Sequence, residues 1–308
     1  MSKNWTTADI PNLTGKVVII TGGNSGLGFE TAKELARKGT HTILACRNME
    51  KAGAAWSAIR AEIPEAKGEL MELDLASLAS VRRFAASFKA KYKQLDLLVN
   101  NAGIGGATYS LTEDGFEKQL GVNHLGHFAL TGLLLDMLTA TPKARVVNVS
   151  SGIYRFGKID FDDLTFANGK EYTPMKGYSR SKLANMLFTH ESQRRLQAAG
   201  VDTIAVAAHP GASRTNIEAN APPPDTLSSK LFAGLLSPLR QSAAMGALPT
   251  LRAAVDPATK GGDFYGPDGF QEIRGYPVLV QSNAAARDEE DGYRLWETSE
   301  QLTGVQYS

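Results

Sequence analysis

The sequence predicts one α/β domain over residues 1–308, with a doubly wound parallel sheet of about seven strands and helices on both faces. Three observations support this fold class. Short, continuously apolar runs alternate with longer helical segments along the chain. Most of the joints between them are short, as in successive right-handed βαβ units. A glycine-rich segment follows the first apolar run directly, at residues 22–28.

The predicted strands are apolar runs rich in β-branched residues, which is typical of strands buried on both faces of a parallel sheet. In chain order they cover residues 16–21, 42–45, 70–73, 95–100, 145–149 and 202–208, with a last strand near 263–265. Helices are expected at residues 29–38, 49–63, 77–92, 112–138 and 178–196, and around Leu295. Two long connections, about 152–177 and about 212–239, are interpreted as a substrate-rim insertion and a substrate lid.

Composition excludes several classes of protein. The 33 basic and 32 acidic residues nearly cancel, so no charge excess indicates a nucleic-acid partner. The single cysteine, Cys46, cannot form an intrachain disulfide, and the five histidines are scattered, so no metal site is expected. No apolar run approaches the roughly 18 residues of a membrane span. We therefore expect a cytoplasmic protein that acts on a small molecule.

The glycine-rich segment indicates a phosphate cradle. Glycines allow the backbone to approach a phosphate closely, and the start of the following helix offers free N–H groups with a positive dipole. A plain tight turn is the alternative, but the preceding strand and following helix favour dinucleotide binding. The expected contacts are Gly22, Asn24, Ser25, Gly26, Leu27 and Gly28.

Residues 178 and 182 place a phenol and an ammonium four positions apart, on one face of a helix. A phenol can donate a proton to a carbonyl oxygen if its pKa approaches the working pH, and a neighbouring ammonium would lower that pKa. A surface pair on an amphipathic helix is the alternative reading. Together with a dinucleotide site, the pair indicates a carbonyl/alcohol oxidoreductase.

The segment Thr21–Gly28, with its Gly-xxx-Gly-x-Gly spacing, resembles the signature of the short-chain dehydrogenase/reductase superfamily. Five further motifs follow in the family's order: Asn100-Asn101-Ala102-Gly103, Asn123, Ser151, Tyr178 with Lys182, and Pro210-Gly211. A finer resemblance, to the retinol-dehydrogenase-like branch and its protochlorophyllide-reductase relatives, rests on residues 44–48, 181–185 and 209–215.

The resemblance implies roles for four catalytic residues. Tyr178 would be the general acid/base, and Lys182 would lower its pKa and bond the nicotinamide ribose. Ser151 would hydrogen-bond the substrate oxygen. Asn123 would hold a water that links Lys182 to solvent.

The cofactor is expected to be NADP(H), with NAD(H) less favoured. Where NAD-binding proteins place a carboxylate at the end of the second strand, this chain has Cys46 and then Arg47, whose guanidinium suits a 2′-phosphate. Asp74, with Leu75, resembles an adenine contact, although a turn role explains Asp74 equally well. By the same resemblance Asn101, Ala102 and Gly103 pass the adenine-side ribose. Pro210, Gly211 and Thr215 lie towards the nicotinamide.

These features predict an NADP-dependent enzyme that interconverts an aldehyde or ketone and an alcohol. A carbon–carbon double-bond reductase and a non-catalytic dinucleotide-sensing protein are the alternatives. The apolar residues Phe232, Leu235 and Leu236 indicate a small apolar substrate. The resemblance leaves a homodimer and a homotetramer open.

Overall fold

A computed structural model describes residues 4–213 and 240–307. Its strands form one sheet in the order β3-β2-β1-β4-β5-β6-β7-β8, and all neighbours are parallel except the last pair. The doubly wound α/β class is thus confirmed. The strands are β1 (Val17–Thr21), β2 (His41–Cys46), β3 (Lys67–Glu72), β4 (Leu97–Asn100), β5 (Arg145–Val149), β6 (Ile204–Ala208), β7 (Phe264–Pro267) and β8 (Pro277–Leu279).

Helices cover both faces of the sheet because successive side chains of each strand point to opposite sides. Val18 and Ile20 of β1 pack in the cluster that holds the helices after β1 and β2, whereas Ile19 packs in the cluster on the other face. The described helices are α1 (Gly26–Arg37), α2 (Met49–Glu62), α3 (Leu78–Lys91), α4 (Lys118–Leu120), α5 (Gly126–Leu133), α6 (Leu135–Ala140), α7 (Pro174–Ala198), α8 (Ala243–Val255) and α9 (Glu289–Thr303).

The continuous helix expected at residues 112–138 is wrong. Helical structure begins only at Lys118, because the Glu117 carboxylate caps it by accepting from the N–H groups of Gln119 and Leu120, both at 2.8 Å. A π-helical turn over Gly121–Leu125 separates α4 from α5. Leu134, with φ −106° and ψ 5°, separates α5 from α6.

One boundary differs from the expectation, and two elements were not expected. The insertion ends before residue 177, because α7 begins at Pro174 with Thr173 as its N-cap. The sequence reading missed α8, whose helical pattern contains Pro249, and also missed the three-residue antiparallel edge strand β8. The proposed lid lies outside the described residues apart from Ala212 and Ser213.

The sheet positions a site where its strand order reverses. The chain proceeds outward from β1 through β2 to β3, then returns to the other side of β1 with β4. Loops after β1 and β4 therefore diverge at the carboxyl ends of adjacent parallel strands, which is where ligands bind in open α/β sheets. Within the described ranges no helix is long and apolar enough to cross a membrane.

Candidate active site

The loop between β1 and α1 is a cradle that side chains would fill. A Cβ atom on Gly28 would lie 2.4 Å from the Gly22 carbonyl oxygen and 2.5 Å from Asn101 Nδ2. Gly22 and Gly26 have φ values of +66° and +53°, in the left-handed region that favours glycine. Ser25, the N-cap of α1, makes no side-chain capping bond, so the first N–H groups of the helix remain available to an anion. These features fit a dinucleotide pyrophosphate.

Thr21, the last residue of β1, fixes the loop after β4 next to the glycine loop. Its Oγ1 accepts from the N–H groups of Asn101 and Ala102, both at 2.9 Å. The Asn101 amide returns a bond to the Thr21 carbonyl at 2.8 Å. The Asn101 side chain is therefore used to fix the loop after β4, while its backbone borders the cleft.

A cleft of about 530 Å³ lies between these loops. It collects the expected residues of the glycine loop and of the segments after β2, β3 and β4. Its described lining is Gly22, Asn24, Ser25, Gly26, Leu27, Gly28, Ala45, Cys46, Arg47, Asn48, Lys51, Leu73, Asp74, Leu75, Asn101, Ala102, Gly103, Ile104, Ala107, Thr108, Ser110, Lys118 and Val122. Sequence reasoning missed the stretch from Ile104 to Lys118 because it carries no motif.

The end of β2 presents a cation to this cleft. The Arg47 side chain is 68% exposed, and its Nη1 lies 4.0 Å from Asp74 Oδ2. Asp74 also has the turn role that the sequence left open, because its Oδ1 accepts from the Ala76 N–H at 2.9 Å. Cys46 is buried, and this burial raises the pKa of its thiol to about 11, so it is a packing residue and not a nucleophile.

Two polar side chains of α7, those of Tyr178 and Lys182, lie beside the loop that follows β5. Lys182 is 2% exposed, and its Nζ donates to the Val149 carbonyl at 2.9 Å. The Ser151 hydroxyl lies close enough to the Tyr178 hydroxyl to lower its pKa. A Cβ on Gly103 would lie 3.4 Å from Lys182 Nζ and 3.3 Å from Asn123 Oδ1. Since Gly103 lines the cleft, Lys182 and Asn123 adjoin it, whereas Tyr178 and Ser151 are not among its lining residues.

The electrostatics of this pair depend mainly on burial. Burial raises the pKa of Tyr178, and the Ser151 hydroxyl opposes that effect. Lys182 points its ammonium at a carbonyl, with Nζ 5.8 Å from the Tyr178 ring centroid. Burial lowers the pKa of Lys182 to about 8. The lowering of the phenol pKa by Lys182 therefore stays a prediction.

Asn123 lies in the π-helical turn, a feature that is common at functional sites. Its Oδ1 accepts from the Ile104 N–H at 2.8 Å, and its Nδ2 donates to the Ile104 carbonyl and to Ser181 Oγ, both at 2.9 Å. Both side-chain atoms are thus used to join the loop after β4 to α7. The water-holding role stays a prediction.

His127 is buried and hydrogen-bonds both Thr21 and Asn123. Its Nε2 lies 2.9 Å from Thr21 Oγ1 and its Nδ1 lies 3.0 Å from the Asn123 carbonyl. Burial lowers its pKa to about 4, so the ring is neutral near pH 7. These contacts give His127 a structural role. Across the described residues no cluster of His, Cys, Asp or Glu could hold a metal ion.

The turn after β6 lies apart from the lining of the cleft. Gly211 has a φ of +61°, and the Pro210 carbonyl accepts from Ser213 Oγ at 2.7 Å and from Gln241 Nε2 at 2.8 Å. Thr215, the expected carboxamide contact, lies outside the described residues.

Comparison with known proteins identifies the family of this chain. A family model described as short chain dehydrogenase matches residues 16–162. Human retinol dehydrogenase 13 is 43% identical over 297 residues, which cover 96% of this chain and 86% of that protein. The WW domain-containing oxidoreductase of Gallus gallus is 44% identical over 299 residues, covering 94% and 69% of the two chains.

Two solved structures show the same fold. An uncharacterised protein from Mycobacterium paratuberculosis has a TM-score of 0.82 at 42% identity, covering 99% of this chain and 100% of its own. A short chain dehydrogenase from Shigella flexneri, complexed with NADP, has a TM-score of 0.63 at 22% identity, covering 83% and 98%; that likeness supports the fold alone.

The fold and the site define a dinucleotide-dependent oxidoreductase that acts on CH–OH and C=O groups. The chain belongs to the short-chain dehydrogenase/reductase superfamily, in its retinol-dehydrogenase-like branch.

Proposed function

We propose that this protein is an NADP(H)-dependent enzyme that interconverts an apolar aldehyde or ketone and its alcohol. The observation that carries the proposal is the proximity of Tyr178 to Ser151 and to Lys182, whose ammonium in turn lies beside Gly103 of the dinucleotide cleft. A bound nicotinamide would supply or accept the hydride. All other steps belong to the chain's own side chains.

In the proposed mechanism Ser151 and Tyr178 bind the carbonyl oxygen, and the Tyr178 hydroxyl gives it a proton as the oxygen becomes an alkoxide. The Ser151 hydroxyl already opposes the effect of burial on the Tyr178 pKa. A buried ammonium at Lys182 stabilises negative charge nearby, because charges interact more strongly away from water. Near pH 7 that ammonium is mostly protonated, since its pKa is about 8.

The charge around the cleft supports NADP(H) over NAD(H). Among its described lining residues the cations Arg47, Lys51 and Lys118 outnumber the single carboxylate, Asp74. The ion pair between Arg47 and Asp74 is long and exposed, so it contributes little and leaves the guanidinium able to bind a phosphate. Residues Gly22, Gly26 and Gly28 would bring the pyrophosphate against the start of α1.

An apolar substrate is supported by aromatic side chains beside the Ser151 segment. Phe156, five residues after Ser151, is 76% exposed, and Phe270 is 82% exposed. The loops that carry them are joined by the ion pair between Arg155 and Glu272. The expected apolar residues Phe232, Leu235 and Leu236 lie outside the described residues. The single-domain organisation and the cytoplasmic location remain predictions.

The proposal is tested by incubating the purified protein with NADPH or NADH and a panel of apolar aldehydes and ketones, including retinal. We expect oxidation of NADPH with formation of the matching alcohol, identified by chromatography, and slower oxidation of NADH. Absence of alcohol from every carbonyl, together with reduction of a carbon–carbon double bond in an enone, would favour the double-bond reductase instead.

A further inference from the structure

Three segments meet at the carboxylate of Glu272. Arg155 Nη2 lies 2.9 Å from Glu272 Oε1 and 2.8 Å from Oε2. His209 Nε2 lies 2.8 Å from the same Oε2. The Gly211 N–H donates a hydrogen bond to His209 Nδ1 at 3.3 Å. The ring proton therefore sits on Nε2, which donates a hydrogen bond to Glu272. Glu272 therefore receives hydrogen bonds from a guanidinium and an imidazole on one carboxylate.

The two partners of Glu272 belong to the Ser151 segment and to the turn after β6, which the family resemblance places near the reacting groups. Arg155 lies in the 3₁₀ turn Gly152–Phe156, whose N-cap is Ser151. His209 directly precedes Pro210 and Gly211 at the end of β6. Glu272 thus joins the segment that carries the candidate catalytic serine to the turn that the family resemblance places towards the nicotinamide.

The backbone around Glu272 adopts an unfavourable conformation to make these contacts. Gln271 and Glu272 have φ values of +49° and +57°, although neither is glycine. Consecutive residues of this kind persist only where the surroundings fix them, and such strain concentrates at functional sites. The same loop bonds the turn a second time, since the Ala212 N–H donates to the Ile273 carbonyl at 2.7 Å.

The carboxylate is also held in its charged form. Burial acts to raise the pKa of Glu272, but the hydrogen bonds from His209 and Arg155 outweigh burial, and the pKa lies below the usual 4.5. His209 itself is 1% exposed, and a Cβ on Gly266 would lie only 2.1 Å from its Nε2. The imidazole therefore fits a space that only a glycine at position 266 leaves open.

We propose that Glu272 is a positioning residue, which through Arg155 and His209 fixes the Ser151 segment and the Pro210–Gly211 turn relative to each other for hydride transfer. This inference rests on the proposed function. Glu272 would act through its two partners and would touch neither substrate nor cofactor. Misplacing reacting groups by about 1 Å can lower a rate by about 100-fold, so loosening this link should reduce turnover.

The test compares Glu272→Gln, Arg155→Met and the double variant, with rates expressed per NADPH-binding site titrated by fluorescence. Each single change should lower kcat by about 10- to 100-fold with little change in the NADPH Kd. The double variant should be no slower than the slower single variant, because both changes break one network. Additive losses would overturn the proposal. If Glu272→Gln does not fold, Arg155→Lys takes its place as the test variant. It keeps the positive charge but loses the planar fork that bonds both Glu272 oxygens, so kcat should still fall.

Asp256→Asn is the matched control. It breaks an ion pair of similar burial, in which Arg252 Nε lies 3.0 Å from Asp256 Oδ2, within α8 and its C-cap. We expect it to lower the Tm without lowering kcat per site. A kcat loss as large as that of Glu272→Gln would reduce Glu272 to a general stabilising role and overturn the proposal.

Hydrogen exchange separates this inference from the proposed function. Whether or not the protein reduces carbonyls, Glu272→Gln should speed exchange at the amides of Gly211 and Ala212. Unchanged exchange there would overturn the positioning role. Absence of carbonyl reduction by the unmodified protein, with faster exchange in the variant, would instead count against the proposed function alone.

Discussion

Replacing Lys182 by methionine should stabilise the free protein near neutral pH while it abolishes turnover. Burial lowers the pKa of Lys182 from 10.5 to about 8. At roughly 1.4 kcal/mol per pH unit, keeping this ammonium in the folded protein costs about 3 kcal/mol at pH 7. Methionine has a similar length and no charge, so the variant avoids that cost.

Lys182→Met also removes one hydrogen bond, which offsets part of this gain in stability. Lys182 Nζ donates to the Val149 carbonyl at 2.9 Å, and a hydrogen bond of this kind contributes about 1 kcal/mol. The Val149 carbonyl keeps a second donor, Asn185 Nδ2 at 3.3 Å, so the variant does not leave it unpaired. The net expectation is a gain of about 2 kcal/mol in the free energy of unfolding at pH 7.

The gain should depend on pH in one direction. Between pH 8 and 10.5 the unfolded chain still holds the Lys182 proton and the folded protein has lost it, so the unmodified protein becomes more stable as pH rises. The advantage of Lys182→Met should therefore shrink from pH 7 to pH 9.5. Urea unfolding of both proteins without cofactor measures it, with exposed Lys170→Met as the control that shows no such trend. A variant that is less stable at pH 7, or an advantage independent of pH, would refute the reasoning.

Three further changes have defined outcomes. Ser151→Ala removes the hydroxyl close to Tyr178 and should lower kcat by about 10- to 1,000-fold at unchanged NADPH affinity; full activity on the best substrate would contradict the site. Arg47→Ala should weaken NADPH by about 10- to 150-fold and leave NADH unchanged in fluorescence titrations, whereas equal affinity of the unmodified protein for both cofactors would exclude this role. Gly28→Ala should abolish cofactor binding because its Cβ would meet the Gly22 backbone at 2.4 Å. Gly53→Ala on α2, with nothing within 4 Å, is its control and should be stabilising.

Features encoded by contiguous residues could be predicted from the sequence. The strand at 145–149 was predicted at its observed bounds, because an apolar β-branched run specifies a buried parallel strand by itself. The glycine loop was predictable for the same reason, since its strand, turn and helix are adjacent. The spacing of Tyr178 and Lys182 also predicted that both lie on one helix, and α7 carries both.

The helix expected at 112–138 shows where local pattern fails. Leu111 pairs with Glu117 in a β-bridge, and the helix starts after that bridge. The π-helical turn around Asn123 is fixed by side-chain bonds to Ile104 and Ser181, and Ser181 lies 58 residues away in the chain. Helical periodicity contains no information about such contacts.

The parts of the site that the sequence did not predict depend on contacts between residues far apart in the chain. Glu272 meets residues 117 and 63 positions away, Arg155 and His209, and belongs to no recognisable motif. The pKa of Tyr178 could not be predicted from the spacing alone, because the direction of the Lys182 ammonium depends on the Val149 carbonyl of β5. The partial burial of Tyr178 could not be predicted from the sequence either.

The central claim is that the Tyr178 hydroxyl is the proton donor for carbonyl reduction. Tyr178→Phe removes this hydroxyl and keeps the ring, so NADPH binding should persist. The decisive measurement is single-turnover reduction of the best carbonyl substrate by NADPH-loaded unmodified protein and variant. The account predicts that the variant binds NADPH with unchanged affinity and forms almost no alcohol. Alcohol formation by Tyr178→Phe at a rate near that of the unmodified protein would contradict it.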